Sequence, residues 1–215
     1  MKGNNMEEKE RISIMYEMVS RLAAEGNAEA QCVLGYMEFC GENPDETYEE
    51  QKAVELFRKS AEQGWACAQY NLGWCYYMGW CPDTTFTDPE TGEDGFHDSE
   101  KANRLSFEWY MKAALQGADK AQTAVGLAYL WEIGVERDLD QALLWLNRAA
   151  EQDEVEAQCT LVSLYAEDER CQDIKKALHW ARMALNHLPD YDCYNPYNLH
   201  LEMGIHLPSN ESKTD

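Results

Sequence analysis

Apolar residues recur along this chain at intervals of three and four. In AQYNLGWCYYMGW (68–80), Ala68, Leu72 and Tyr76 fall on one stripe, and in KAVELFRKSAEQG (52–64) Ala53, Phe57 and Ala61 do the same. Such spacing predicts amphipathic helices. The first pattern returns as AQCVLGYMEF at Ala30, AQTAVGLAYL at Ala121 and AQCTLVSLYA at Ala157. Each is followed by a partner block: 52–64, then FEWYMKAALQG (107–117), QALLWLNRAAEQD (141–153) and KALHWARMALNH (176–187). The first blocks start 38, 53 and 36 residues apart. That period predicts paired helices, A then B, stacked as a helical-hairpin solenoid.

One feature of helix A runs against propensity. Gly35, Gly73 and Gly126 sit in mid-helix, where glycine costs about 0.5–1 kcal/mol relative to alanine. A close crossing of helix B over helix A, which a Cβ would hold open, explains the choice. The fourth unit has Val162 at this position, so its A–B packing is expected to depart from the others. Gly64 and Gly117 follow helix B as C-terminal stops.

The order A-x-x-x-L-G-x-x-Y, then glycine, then K-A and W-x-x-K-A-A-x-Q-G, resembles the Sel-one-like repeat family, a relative of the tetratricopeptide repeat. The likeness covers about residues 26–187. It implies an all-α fold: a right-handed α/α superhelical solenoid of about four helix-turn-helix repeats with a capping N-terminal helix. The expected divisions are a cap at 1–26, repeats at 27–64, 65–117, 118–153 and 154–188, and a closing segment with a disordered tail at 189–215. The resemblance further implies a non-catalytic scaffold or adaptor that binds a protein or peptide on its concave face, lined by the A helices. Placed on this sequence, that face is Cys32, Tyr36 and Phe39; Tyr70, Trp74 and Tyr77; Lys120, Thr123, Leu127, Leu130 and Trp131; and Cys159 and Ser163. Aromatic residues there would bury large areas at low entropic cost. The rival reading packs the same rings between neighbouring repeats.

Composition narrows the partner. Eighteen Lys and Arg against 40 Asp and Glu give a net charge of −22. Nucleic acid and anionic membranes would be repelled, whereas a basic protein would be attracted. The same charge motivates an alternative reading as an immunity or inhibitor protein that neutralises a basic toxin or mimics nucleic acid. No stretch has the apolar length to span a bilayer, and the start lacks signal-peptide patterning. Cys32/Cys40 and Cys67/Cys75 lie eight residues apart on single helices, about 12 Å along the axis, too far to bridge. Most of the eight cysteines therefore read as small buried hydrophobes in a reducing compartment, giving a cytoplasmic expectation. One secreted branch of the family staples helix A to helix B with regularly placed cysteine pairs; the placement here does not match it.

The long second interval holds WCPDTTFTDPETGEDGFHDSE (80–100), a turn-rich insertion expected as a loop, ordered or floppy, rather than a helix. It carries Asp83, Asp88, Glu90, Glu93, Asp94 and Asp98, read as a solvated acidic loop because the spaced EF-hand ligand pattern is missing. With ENPDETYEE (42–50) it is expected on one edge of the solenoid, concentrating negative potential beside the groove. Cys193, His200 and His206 have no standard zinc spacing. No nucleophile-elbow, phosphate-loop or dinucleotide motif occurs, so no cofactor is expected. A hydrolase on a repeat scaffold is the reading from a different class; it would need a buried Cys/His or carboxylate pair in a pocket.

Overall fold

The computed structural model describes residues 2–45, 47–87 and 94–187. It is an all-α solenoid. A long first helix, α1 (Lys2–Ala24), precedes four helix pairs: α2 (Ala28–Cys40) with α3 (Glu50–Glu62), α4 (Ala66–Tyr77) with α5 (Ser99–Leu115), α6 (Asp119–Trp131) with α7 (Leu139–Ala150), and α8 (Val155–Glu167) with α9 (Ile174–His187). Among the described residues, substantial helix packing runs only between helices adjacent in sequence. The core is accordingly a chain of apolar clusters strung along the stack.

The glycines lie where the helices cross. A Cβ on Gly35 would stand 2.9 Å from the Phe57 ring and 3.3 Å from the Ala53 carbonyl. On Gly73 it would meet Tyr110 at 2.8 Å and the Ser106 carbonyl at 3.1 Å, and on Gly126 it would meet Leu146 at 2.7 Å and the Ala142 carbonyl at 3.2 Å. The carbonyl contacts matter most, because backbone cannot swing aside as a side chain can. The helix before each A helix ends on a left-handed residue: Gly26 after α1, Gly64 after α3 and Gly117 after α5, all near φ +91°, and Asp153 after α7 at φ +66°.

A second set of contacts ties each pair to the one before it. The glutamine of every Ala-Gln pair donates to a carbonyl in the last turns of the preceding helix B: Gln31 to Ala23 (3.1 Å), Gln69 to Ala61 (3.2 Å), Gln122 to Ala114 (3.2 Å) and Gln158 to Ala150 (3.1 Å). In the first three units that glutamine in turn accepts from a second one at the end of helix B: Gln63 to Gln31 (2.7 Å), Gln116 to Gln69 (2.8 Å) and Gln152 to Gln122 (2.8 Å). In these three units the buried amide is therefore satisfied at both ends, as burial requires.

The insertion is not simply a loop. A 3₁₀ turn at Pro82–Thr84 leads into β1 (Thr85–Thr87), which pairs antiparallel with β2 (Asp94–His97) in a short hairpin. Asp83 and Asp98, expected in a solvated acidic loop, hold its base instead. Asp83 accepts from the Tyr76 hydroxyl (2.7 Å) and pairs with Arg58 (3.0 Å), and Asp98 caps α5 by accepting from the Lys101 amide (2.9 Å). Arg58 and the Tyr76 hydrogen bond hold the Asp83 carboxyl below the ordinary carboxylate range despite its partial burial. Asp94 falls in β2, whereas Asp88, Glu90 and Glu93 lie outside the described residues, as do the expected closing segment and Cys193, His200 and His206.

Candidate groove on the A helices

The repeated alanine sets the register of α2, α4, α6 and α8, so equivalent positions form rows across the stack. The row two residues after it is Cys32, Tyr70, Thr123 and Cys159; the row six after is Tyr36, Trp74, Leu127 and Ser163. The expected site residues differ widely in exposure. Tyr36 is 54% exposed, and Lys120 is also exposed. Phe39, Tyr70, Trp74, Tyr77 and Trp131 are half-buried. Thr123 and Leu127 are buried. Thr123 is a packing position, corrected from the expected binding list: its hydroxyl turns back to the Asp119 carbonyl (3.2 Å).

The half-buried rings touch one another. Phe39 lies edge-on to Trp74 with centroids 5.2 Å apart, and Trp80 completes the cluster 4.5 Å from Trp74 and 5.3 Å from Phe39. Tyr70 packs on Tyr110 at 5.5 Å. Each ring therefore serves the junction between pairs with one side and solvent with another. Farther along, a small apolar cleft, open to solvent, brings together Tyr77, Phe107, Leu127 and Trp131. A neighbouring cleft of about 290 Å³ shares Trp131 and runs on past Arg137, Ser163 and Glu167.

Charge gathers at one end of this surface. Burial, helped by Glu154, pushes Glu156 up to about 7, and burial, helped by Asp119, raises Glu154; Lys120 opposes both shifts. Burial, helped by the same carboxylates, raises the Tyr70 phenol. At the other end, Cys67 is exposed while Cys32, Cys75 and Cys81 are buried. Position in the repeat could have added three residues to the expected face. Cys67 and Glu156 stand immediately before the repeated alanine, as Lys120 does, and Asn71 stands three after it. Among the described residues, no group of three His, Cys, Asp or Glu is arranged to hold a metal ion. Nor is any described helix long and apolar enough to cross a membrane.

Stacked helical hairpins with an apolar, carboxylate-flanked surface on their A helices define an α/α repeat protein of the tetratricopeptide type. A model of the Sel1 repeat matches residues 28–65, 68–117, 119–154 and 170–187, and the chain belongs to that family. Among solved structures, the protective antigen c5321 of uropathogenic Escherichia coli, which displays an SLR fold, is 30% identical with a TM-score of 0.65, over 80% of this chain and 33% of that one. A Sel1 repeat protein from Oxalobacter formigenes is 26% identical with a TM-score of 0.63, over 80% of this chain and 64% of that one. This chain thus spans a third of the first relative and somewhat under two thirds of the second.

Proposed function

We propose that this protein is a non-catalytic scaffold that holds a protein or peptide along the groove of its A helices. The observation that carries the reading is the run of half-buried aromatic side chains from Phe39 to Trp131, broken by two clefts that share Trp131. Such rings offer apolar area that is already ordered, so a partner gains burial without the groove losing much rotamer freedom. The excess of carboxylates favours a basic partner. Family membership supports the interaction role, since Sel1 repeats typically serve as protein-interaction scaffolds. The charge of −22 also favours a narrower second reading, an inhibitor that neutralises a basic protein.

Affinity capture from the native cell, read by mass spectrometry, tests the proposal. Trp74→Ala and Trp131→Ala are expected to melt as cooperative folded proteins and to weaken capture about tenfold or more. If both variants unfold, the rings are core and the groove reading fails. Capture that collapses as salt rises from about 0.05 to 0.5 M supports the inhibitor reading, and salt-insensitive capture counts against it.

A further inference from the structure

Two cysteines from different repeats meet on the A-helix surface. Cys32 lies on α2 and Cys67 on α4. The Asn71 side-chain amide lies 3.9 Å from Cys32 Sγ and 3.8 Å from Cys67 Sγ, close to both sulfurs at once, and each thiol perturbs the other's proton affinity. Cys67 is exposed, and Cys32 behind it is buried. The Cys32–Cys67 pairing is neither of the two, eight residues apart on one helix, that sequence spacing rules out. We propose that Cys67 is a peroxide-reactive thiol and Cys32 its resolving partner, the two closing a disulfide that ties α2 to α4.

The surroundings suit each role. Cys67 is drawn down to about 6, first by the hydrogen bond from Cys32, then by the Lys120 ammonium and Asn71, against its own partial burial. Cys32 moves the other way, because the proton shared by the pair stays on the buried sulfur and Glu29 also opposes a negative charge there. A negative charge on Cys67 also helps to raise the Tyr70 phenol. At neutral pH the exposed sulfur is the thiolate, the form that attacks. The Cys67 thiolate attacks one peroxide oxygen, the O–O bond breaks, and the departing oxygen takes up a proton to leave as alcohol or water. Cys67 becomes a sulfenic acid. Cys32 sulfur then attacks Cys67 sulfur, hydroxide leaves and takes the Cys32 proton as water, and the disulfide forms. Two thiols lose two electrons, and one peroxide gains them.

The test uses the full chain, fully reduced. Iodoacetamide labelling followed residue by residue against pH is expected to give Cys67 a midpoint near 6, and the chain unfolded in urea one above 8. At pH 6, after allowing for the weaker nucleophilicity of a low-pKa thiolate, folded Cys67 should react about tenfold faster than unfolded. Equimolar hydrogen peroxide should yield a peptide linked through Cys32 and Cys67. Cys32→Ser, checked for helix content by circular dichroism, should instead leave a dimedone-reactive sulfenic acid on Cys67. The proposal is overturned if peroxide-treated wild type shows no link between these two residues, or if Cys67 titrates as an ordinary thiol. Both readouts need only the wild-type chain, so a variant that fails to fold does not shield the idea.

Discussion

On α2, α4 and α6 the residue facing the paired helix is glycine; at the same register on α8 stands Val162. Opposite the glycines, helix B presents Phe57, Tyr110 and Leu146. The equivalent position on α9, counted from Ala53, Ser106, Ala142 and Ala177, is Ala181. Bulk has changed sides. In three pairs the A helix yields and the B helix fills; in the fourth the B helix yields. The crossing thus demands a total volume across two facing positions, and glycine is one of two ways to meet it. The family model skips from residue 154 to 170, passing over α8, where the exchange occurs.

The largest effect follows from breaking this complementarity. Gly73→Leu puts a Cβ 2.8 Å from Tyr110 and 3.1 Å from the Ser106 carbonyl before the rest of the side chain is placed. The expected loss is about 3 kcal/mol, at the upper end for overpacking, or roughly 10 °C in melting temperature. Shifting the bulk as the fourth pair does, with Gly73→Val and Tyr110→Ala together, should lose clearly less than the sum of the two single variants. Denaturant titration of the four proteins completes the cycle. Strict additivity would show that the two positions do not share one volume.

The fourth pair differs in charge as well. Glu29, Cys67 and Lys120, just before the repeated alanine, are exposed, whereas Glu156 at the same place is only 9% exposed. Its carboxyl sits near 7 when folded, raised first by desolvation and then by Glu154, against an ordinary value of 4.5. Below about 4.5 the group is protonated whether folded or unfolded and costs nothing. Between 4.5 and 7 the folded state holds more protons, so stability falls as pH rises, and above 7 the loss is complete. Glu156→Gln should therefore stabilise the protein by on the order of 2 kcal/mol at pH 8 and leave it nearly unchanged at pH 4. A gain of equal size at both pH values would mean that packing, not ionisation, is responsible.

The helical pairs were legible because their markers are local. The alanine stripe, mid-helix glycine and terminal glycine each report a backbone requirement at their own position, and Gly35, Gly73 and Gly126 lie at the crossings they predict. The meaning of the Ala-Gln pair was not legible, since Gln69 acts on a carbonyl eight residues upstream and on Gln116, 47 residues away. The hairpin of the insertion was missed because its strands are only three and four residues long, too short for alternation to register. The groove was partly legible. Helical spacing identified a row of rings, but whether each ring turns outward, as Tyr36 does, or into a junction, as Phe39 and Trp74 do, depends on the neighbouring repeat. The Cys32–Cys67 contact likewise exists only across two repeats.

The glutamine ladder separates the fourth pair once more and gives the smallest effect. Counted from Ala53, Ser106, Ala142 and Ala177, Gln63, Gln116 and Gln152 correspond to His187. The first three donate to the glutamine of their own A helix; His187 points instead to Asp153, 3.6 Å away at the end of α7. Gln158 still donates to Ala150, but its Oε1 is buried with no hydrogen-bond partner among the described residues. A buried acceptor left unpaired costs about 1–3 kcal/mol, and a contact as exposed as His187–Asp153 contributes little to offset it. His187→Gln rebuilds the missing donor at the position where three other repeats carry it. The expected gain is about 1 kcal/mol, less than the full penalty because a glutamine near the last turn must also be ordered. The Gln158→Leu variant sharpens the result: with the acceptor gone, His187→Gln should add nothing. If it adds as much as before, the gain comes from the helix end and not from completing the ladder.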